Sequence, residues 1–438
     1  MAAVTQAADL IPPHLTGADL PGDREARTPL SAGEFAALMA PLGPSGPAPR
    51  LAVGISGGPH SLALALLAAG WVRARGGALL ALVADHGLRT ESGAEAEAVV
   101  ALLAARGIAA RLLRLGLTPG PGMQARARAA RLQALLAVCH EAGAPWLLLG
   151  HHRADQAETL LLRALAGSGP AGLAAMAPAR AEAAALVLRP LIGVPPARLE
   201  AVVAAAGLLP VRDPSNADPR FTRVRLRGAL ADPAGTGPAV TALAEAAGAF
   251  ARRRTRLSGA VADRLAAAAR LHPEGWAELD LAVLGADPVG LSALAALLRV
   301  VGGARHTPAW PAVAALLARG EGTLSGAWLR RAGGLWRLMR EPGARPAVVP
   351  ARRGAVWDRR FRLTGPGEAG CSLGALGEDA RGLRRAAPGL PLAVLAAMPA
   401  VRRDRALVAA PVLAYPDPAT AARFAMLFAP ASGPVAGP

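Results

Sequence analysis

The chain contains no lysine, so arginine supplies all 48 of its basic side chains. Against 31 acidic residues, this gives a formal net charge of +17. Arginine pairs bidentately with phosphate and stacks on bases. An excess of this size therefore favours a polyanionic partner, and nucleic acid is the simplest one. The alternative is a GC-rich genome that has replaced lysine by arginine on ordinary surfaces.

Aromatic residues are also scarce, at 3% of the chain, and Tyr415 is the single tyrosine. This scarcity argues against the binding of single-stranded nucleic acid by rows of stacked aromatic rings. A structured RNA that is gripped through its phosphates by arginine fits the composition better.

Only two cysteines occur, Cys139 and Cys371. Their separation excludes a zinc-ligand spacing and a disulfide framework, which predicts a reduced, cytoplasmic protein. The N-terminus carries acidic residues and has no signal-peptide pattern. The uncharged stretch 386–401 contains three prolines and is too short to span a bilayer. We therefore expect no membrane contact.

The length of 438 residues predicts about two or three domains. Composition changes along the chain divide it into four segments. A variable tail with a short helix capped by Ser31 is followed by an alternating strand and helix region, a helical Ala/Leu-rich region, and a small mixed or β-rich region that we expect to contact the RNA partner. Their bounds are 1–48, 49–230, 231–320 and 321–438.

The second segment alternates short apolar runs with helical stretches, which predicts an α/β fold with a parallel sheet covered on both faces. The predicted strands are residues 51–56, 79–84, 110–115, 146–149 and 186–188. The predicted helices are residues 61–69, 91–106, 123–142 and 154–166.

Reactive side chains follow the predicted strands at their carboxyl ends, where open parallel sheets bind ligands. Four of the eight histidines lie at such ends. They are His60, His86, His151 and His152. This clustering indicates a site at one edge of the sheet.

The first of these strand ends is Ser56-Gly57-Gly58-Pro59-His60-Ser61. Two glycines let the backbone approach a phosphate closely, and the following helix N-terminus directs N–H groups at the anion. The Gly-Lys-Ser/Thr ending of a Walker A loop is absent. Taken alone, this segment favours a plain strand-to-helix turn over a phosphate site.

A series of short motifs in order resembles the tRNA(Ile)-lysidine synthetase family of PP-loop (N-type ATP pyrophosphatase) proteins. The resemblance covers roughly residues 50–227 and weakens beyond. It rests on Ser56 to Ser61, Ala84 to Arg89, Gln124 with Arg128 and Arg131, Gly150 to Thr159, Gly167 to Gly169 with Gly172 and Leu173, Arg189 to Leu191, Asp213 to Asn216, and Arg223 to Arg227.

The resemblance implies an adenine nucleotide alpha hydrolase-like fold and a ligase that forms a C–N bond. Such enzymes use ATP and Mg²⁺ to adenylate the wobble cytidine of the CAU-anticodon tRNA(Ile). Free L-lysine then displaces AMP to form lysidine. The oligomeric state stays open, a homodimer included.

The resemblance also implies roles for named residues. ATP phosphates would be held by Ser56, Gly57, Gly58, Pro59, His60 and Ser61. Catalytic roles would fall to Asp85, His86, Arg128 and Arg189, with Asp85 also as a Mg²⁺ ligand. Lysine and cytidine would be bound by His151, His152, Asp155 and Glu158. RNA would be bound by Arg131, Arg223, Arg225 and Arg227.

Several of these residues have a purely structural alternative. Asp155 and Glu158 lie near a predicted helix start, where acids stabilise the helix dipole. The adjacent histidines His151 and His152 are compatible with hydrogen-bonding core positions. Arg128 and its neighbours on the same helix are compatible with a solvated face.

Four positions depart from the family pattern. His60 and Ala154 stand where the family has Asp, Val224 where it has Asn, and Leu132 where it has Tyr. Imidazole does not replace a hard oxygen ligand of Mg²⁺. Three hypotheses therefore stay open: an active lysidine synthetase, another PP-loop enzyme such as a tRNA thiolase or an amide-forming synthetase, and an RNA-binding relative without turnover.

Overall fold

The computed structural model describes residues 28–44, 46–87, 91–117, 120, 122–182, 184–211 and 218–430. Leu88, Arg89 and the motif at 213–216 lie outside the described residues, as do both chain ends. The chain divides into two compact units between Arg254 and Thr255. Within the described residues, no helix is both long and apolar enough to cross a membrane. The four-segment division made from the sequence stays a prediction.

A six-stranded sheet forms the centre of the first unit. Its strands are β1 Arg50–Ile55, β2 Ala78–Asp85, β3 Ala109–Arg114, β4 Trp146–Leu149, β5 Ala179–Ala181 and β6 Leu186–Leu188. The order across the sheet is β3-β2-β1-β4-β6-β5. All neighbours pair in parallel except β5 with β6. The predicted parallel sheet is confirmed, and the antiparallel edge strand β5 is an addition to it.

Helices cover this sheet on both faces. They are α1 Ala32–Met39, α2 Pro59–Arg73, α3 Ser92–Ala104, α4 Met123–Glu141, α5 Arg153–Leu165, α6 Pro170–Leu173, α7 Pro196–Ala205 and α8 Thr222–Leu230. A 31-residue helix, α9 Pro238–Ala268, contains the division between the units.

The central strand β1 explains the two layers. Five of its six residues are buried, which matches the continuous apolar run expected of a parallel strand. Leu51, Val53 and Ile55 belong to the core formed with α1, α2, α3 and α7. Ala52 faces the opposite side and belongs to the core formed with α4.

The predicted start of α1 is confirmed in detail. The Glu34 N–H donates to the Ser31 hydroxyl over 3.2 Å, and the Glu34 carboxylate accepts from the Ser31 N–H over 2.9 Å. This reciprocal pair is a capping box. The same carboxylate accepts from Arg198 of α7 over 2.9 Å, which ties the two helices together.

The second unit combines helices with antiparallel sheets. Its helices are α10 Leu281–Leu284, α11 Pro288–Val301, α12 Trp310–Arg319, α13 Leu392–Ala396 and α14 Pro418–Arg423. Its strands are β7 Ala269–Leu271, β8 Ala277–Leu279, β9 Gly322–Leu324, β10 Ala327–Ala332, β11 Leu335–Arg340, β12 Val349–Arg352, β13 Val356–Trp357, β14 Phe361–Leu363, β15 Gly367–Ala375, β16 Pro399–Arg403, β17 Ala406–Ala409 and β18 Met426–Phe428.

Three sheets organise these strands, in the orders β7-β8-β11-β10-β9, β12-β15-β16-β17 and β13-β14-β18. The expected helical region and the β-rich C-terminal region are both present. The hairpin of β7 and β8 within the helical region was not predicted. Each of its strands has three residues, too few for an alternating pattern, and its pairing partner β11 is distant in sequence.

Candidate active site at the carboxyl edge of the sheet

The segment after β1 forms a tight loop that leads into α2. Gly57 has a φ of +76°, in the left-handed region that favours glycine. Gly58 precedes the helix without a side-chain cap, and Pro59 occupies its first turn. The Ser61 hydroxyl donates to the Gly58 carbonyl over 2.9 Å and accepts from the Ser56 N–H over 3.2 Å. This loop therefore presents the N–H groups of an uncapped helix start, which is an anion site.

The end of β4 approaches this loop at Gly150. A Cβ on Gly150 would lie 3.1 Å from the His60 carbonyl oxygen and 3.2 Å from the Ser61 Cα. These atoms are backbone, so a side chain at this position displaces one of the two segments. Because Gly150 has no Cβ, the ends of β1 and β4 can lie close together. The strand order reverses direction between these two strands, and α/β sheets bind ligands at such a point.

The two histidines that begin α2 and α5 touch each other. The ring centroids of His60 and His152 lie 4.1 Å apart at 69°. The His60 Nε2 atom lies 3.7 Å from a carboxylate oxygen of Glu200 on α7. Burial, and then the neighbouring His152, lower the pKa of His60 to about 3. Its imidazole is therefore uncharged at neutral pH.

The β4 end also carries His151 and Asp155. The His152 N–H donates to the Asp155 carboxylate over 3.1 Å. Burial lowers the pKa of His151 to about 4, with a smaller effect from Arg189. Burial raises the pKa of Asp155, but the two imidazoles, the His152 N–H and a nearby arginine outweigh it and lower that pKa. The site thus pairs an ionised carboxylate with neutral imidazoles.

Arg189 follows β6 and is buried, at 8% exposure. Its guanidinium donates to the Ala177 carbonyl over 2.8 Å. Burial, and then Arg180, lower its pKa to about 10, which leaves it charged at neutral pH. A buried cation that lies near His151 is suited to an anionic ligand.

Asp85 ends β2 and is likewise buried, at 8% exposure. Its Oδ1 atom accepts from the Gly87 N–H over 2.9 Å and from the Ser92 hydroxyl over 2.7 Å. These two bonds fix the carboxylate through Oδ1, and they are its hydrogen bonds among the described residues. His86 follows directly and is half-buried.

Two arginines of α4 lie at different depths. Burial, and then Arg223, lower the pKa of Arg128, while Asp155 and Glu158 act against them. Arg131 reaches further inward, because a Cβ on Gly54 of β1 would lie 3.8 Å from its guanidinium. Arg128 is thus near the carboxylates of α5, and Arg131 is near the sheet.

A buried carboxylate on α5 pairs with arginines of α8 and holds the two helices together. Glu158 is fully buried, and its Oε1 atom accepts from the Arg227 guanidinium over 2.8 Å. Arg223 lies 3.7 Å from the second carboxylate oxygen and donates to Thr159 over 3.2 Å. Burial raises the pKa of Glu158, and Arg227 opposes this. Glu158 therefore has an arginine partner within the protein, in contrast to Asp155.

Arg225 points elsewhere on α8. It is exposed and donates to the carbonyls of Pro219 and Arg220 over 2.9 and 3.0 Å. Among the arginines predicted to bind RNA, it is the one that local backbone bonds hold at the surface, which suits a phosphate contact.

Two residues of the site had no assigned role in the sequence analysis. Gln156 exchanges hydrogen bonds of 3.0 and 2.9 Å with the backbone of Met176, and the motif around it was the available signal. Glu200 contacts His60 from α7, 140 positions along the chain, and no local pattern points to it.

Two of the positions that differ from the family pattern, Ala154 and Leu132, have apolar surroundings. Ala154 packs with Leu230 and Val240, a place where a carboxylate would be buried at high cost. Leu132 packs against the core under α4. Val224 is half-buried on α8, and nothing in the structure explains it.

Several buried polar atoms at this edge have no hydrogen-bond partner among the described residues. They are His60 Nε2, His151 Nδ1, His152 Nδ1, Glu158 Oε2 and Arg189 Nε. Buried polar groups are nearly always paired in native proteins. Five orphans in one region therefore indicate a site that is completed by a polar ligand or by water.

The fit to Mg²⁺ is limited. Among the described residues, no group of three or more His, Cys, Asp or Glu side chains is arranged to hold a metal ion. Mg²⁺ usually keeps several waters and binds through one or two carboxylates and substrate phosphates. Asp85, with one oxygen not used by Gly87 and Ser92, fits that second mode.

Comparison with known proteins agrees with this geometry. Residues 31–233 match the PP-loop domain family, which spans the loop, the sheet and α8. This domain accounts for ATP as a ligand of the site.

Relatives named tRNA(Ile)-lysidine synthase match this chain. One from a Bradyrhizobium species is 43% identical over 243 residues, which are 55% of this chain and 66% of the relative. One from Rhodopseudomonas palustris is 48% identical over 183 residues, which are 41% of this chain and 53% of the relative. One from a Methylobacterium species is 40% identical over 339 residues, which are 73% of this chain and 98% of the relative.

The first two matches span less than two thirds of the relative, whereas the third spans nearly all of it. The third match extends beyond the PP-loop domain into the second unit, since it takes in 73% of this chain. On this combination of domain and full-length similarity, the chain belongs to the tRNA(Ile)-lysidine synthase family.

Proposed function

We propose that this chain ligates lysine to C2 of the wobble cytidine in the CAU-anticodon tRNA(Ile), in the cytoplasm. ATP first adenylates the C2 oxygen of the base, and pyrophosphate leaves. The ε-amine of free lysine then attacks C2, and AMP leaves with that oxygen. The observation that carries the proposal is the set of five buried polar atoms that have no hydrogen-bond partner among the described residues, beside an uncapped loop suited to phosphate.

The phosphates of ATP would lie against the loop from Ser56 to Ser61. Its hydroxyls and helix N–H groups supply donors to the leaving pyrophosphate. Mg²⁺, when bound, would supply positive charge to the phosphate oxygens, with Asp85 as its protein ligand. His86, which follows Asp85, would orient one of these groups.

Two arginines would stabilise the charge that develops in the transfer. Arg189 is buried and its charge lowers the pKa of His151, and Arg128 is exposed and acted on by the carboxylates of α5. Fixed cations in a water-poor site stabilise developing negative charge strongly. We also assign Arg131 to the nucleotide side of the site, because it lies beside Gly54 of the central strand.

The lysine ammonium would bind at Asp155. The lowered pKa of Asp155 keeps its carboxylate ionised. This carboxylate faces the neutral imidazoles of His151 and His152. Glu158 was an equal candidate from sequence. Its pairing with Arg227 supports a different role, in which it positions α8.

The arginines of α8 would bind the tRNA backbone. Arg225 and Arg227 are exposed, and Arg223 is half-buried at the contact with α5. Phosphate contacts of this kind position RNA without reading its sequence. The second unit, residues 255–437, would add contacts to the same tRNA.

Thiolation is the enzyme alternative with least support. Cys139 lies inside α4, and burial raises its thiol pKa to about 11, which suppresses the thiolate nucleophile. Cys371 is buried in the second unit. Neither thiol is suited to carry sulfur at the site.

The test is a transfer assay with purified chain, ATP, Mg²⁺, labelled lysine and an unmodified CAU-anticodon tRNA(Ile) transcript. We expect label in the tRNA, released pyrophosphate, and no transfer to a transcript with a CAG anticodon. Tight tRNA binding without transfer would instead identify an RNA-binding relative. Modification that needs a sulfur donor would identify a thiolase.

A further inference from the structure

A cavity of about 330 Å³ in the second unit is lined by three arginines, and we call it the arginine cavity. They are Arg299, Arg305 and Arg359. In the part of the chain that the structure describes, no carboxylate lines this cavity. Like charges that share one cavity repel each other. A bound anion relieves this repulsion, so the lining indicates an anionic ligand.

The arginine cavity lies where two segments of the second unit pack closely. Arg299 is in the last turn of α11, Arg305 follows that helix, and Arg359 lies in the turn between β13 and β14. A Cβ on Gly303 would lie 2.5 Å from the carbonyl oxygen of Asp358. Because Gly303 has no Cβ, the end of α11 can touch this turn. The packing therefore brings the arginines of both segments to one cavity.

The nearest carboxylate in sequence, that of Asp358, is already paired. Both of its oxygens accept from Arg340 over 3.0 Å, and one of them also accepts from Arg360 over 2.7 Å. A carboxylate that two guanidinium groups share is little available to a third. Arg305 and Arg359 are exposed, so their charges are open to a ligand from solvent.

The backbone at Arg359 is one that its side chain disfavours. Asp358 and Arg359 have φ of +51° and +55°, and the Arg360 N–H closes the turn by donating to the Trp357 carbonyl over 3.1 Å. Positive φ at both central residues is typical of a type I′ turn, which prefers Asp-Gly or Asn-Gly. Arginine in this conformation carries a steric cost. The turn itself therefore does not explain Arg359, and strained residues that persist point to function.

We propose that the arginine cavity binds a phosphodiester of the tRNA backbone, with Arg305 and Arg359 as its principal donors. Guanidinium groups match phosphate oxygens with parallel N–H bonds. Two of the three arginines are exposed, which leaves the cavity open to a polymer. Arg299 also has a structural role, since a cation stabilises the end of a helix. The inference rests on the proposed function, because it takes the tRNA as the ligand.

Arg359→Gly is the first test, because it separates binding from stability. Filter binding of the CAU-anticodon tRNA(Ile) transcript to the full chain is measured across a salt series. We expect affinity to fall about tenfold at low salt and the salt slope to decrease by about one. The urea unfolding midpoint is expected not to fall, since Asp-Gly suits this turn. Weaker binding together with a lower midpoint would show a structural role for Arg359 and overturn the inference.

Two further variants and a control define the ligand set. Arg305→Ala removes a charge from the other segment and is expected to reduce the salt slope by about one as well. Arg359→Lys keeps the charge at the turn and is expected to keep the slope. Arg423→Ala is the matched control, because Arg423 is exposed and paired with Glu368. It is expected to leave both affinity and slope unchanged.

Equal tRNA affinities of wild type, Arg359→Gly and Arg305→Ala across the salt series would overturn the inference. So would an equal loss of slope in Arg423→Ala, since the effect would then follow net charge alone. Calorimetric titration with inorganic phosphate separates a free anion from RNA. Phosphate binding that Arg359→Gly abolishes, with tRNA affinity unchanged, would assign the cavity to a free anion and overturn the inference.

The wild-type binding curve distinguishes this inference from the proposed function. Wild type that binds the tRNA, with variants that match it, refutes the phosphodiester site and leaves lysidine formation standing. Wild type that binds no tRNA at any salt concentration refutes both.

Discussion

The imidazole of His60 meets the imidazole of His152 edge to face, with 4.1 Å between the ring centroids. Each ring stands at the start of a helix that follows one of two neighbouring parallel strands, β1 and β4. The contact links the loop at 56–61, proposed to hold phosphate, to the segment proposed to hold lysine and cytidine. A shift of either strand end is therefore expected to affect both ligands.

Gly150→Ala tests this close approach. Its Cβ would fall 3.1 Å from the His60 carbonyl oxygen, and overpacking of this kind costs roughly 1–3 kcal/mol. We expect ATP to bind about tenfold more weakly, which corresponds to ~1.4 kcal/mol. Gly193→Ala is the control, because its added Cβ meets nothing within 4 Å. Equal ATP affinities of the two variants would refute the role of Gly150.

Glu158→Gln tests the fastening of α8. The substitution weakens the charge-assisted bonds from Arg227, and we expect unfolding free energy to fall by roughly 1–3 kcal/mol. Glu141→Gln removes a carboxylate from an exposed pair with Arg111 and should change stability by about 0.5 kcal/mol or less. Urea unfolding compares the two. A smaller loss for Glu158→Gln than for Glu141→Gln would contradict this account.

Two half-buried histidines, His60 and His151, predict how stability depends on pH. The pKa of His151 is about 4 and that of His60 about 3 in the folded chain, both below the ordinary value of 6.5. Between each folded-state pKa and the ordinary value of 6.5, the unfolded state binds more protons than the folded state, so stability rises with pH. Their contribution is full above about pH 6.5 and is lost as pH falls toward 4 and 3.

Unfolding measured from pH 7 to pH 4.5 checks this dependence. His151→Asn, which does not titrate, should flatten the decline. His140→Asn, at an exposed position on α4, should leave the decline unchanged. Identical pH curves for wild type and His151→Asn would show that the buried imidazole does not contribute.

Binding of tRNA is expected to weaken steeply with salt, because arginine contacts release counterions from phosphate. Arg225→Ala should lower affinity similarly for different tRNAs and reduce the salt slope by about one. Arg111→Ala makes the same change of net charge at the exposed pair with Glu141 and should leave the slope unchanged. Filter binding across a salt series distinguishes the two, and equal slopes would remove Arg225 from the interface.

The sequence predicted the parts of the fold that depend on local patterns. Buried parallel strands such as β1 appear as continuous apolar runs, and the helix start at Ser31 appears as a capping pair. The β7–β8 hairpin was missed because its short strands carry no periodicity and are stabilised by β11, far along the chain.

The residues of the candidate site also fall into two groups, those that local motifs predicted and those that depend on distant partners. Motif order identified the loop, Asp85 and the residues at the β4 end, because strand ends converge in any parallel sheet. The contact of Glu200 with His60, and the pairing of Glu158 with Arg227, depend on how helices pack across the domain. Such tertiary partners decide whether a carboxylate is available for substrate, and local sequence does not encode them.

Mass spectrometry of tRNA nucleosides decides whether this chain forms lysidine. The CAU-anticodon tRNA(Ile) transcript is incubated with the chain, ATP, Mg²⁺ and lysine, then digested to nucleosides. We expect one cytidine per tRNA to become lysidine, and omission of ATP or lysine to abolish the product. A fully folded chain that binds ATP and this tRNA but leaves every cytidine unmodified would contradict it.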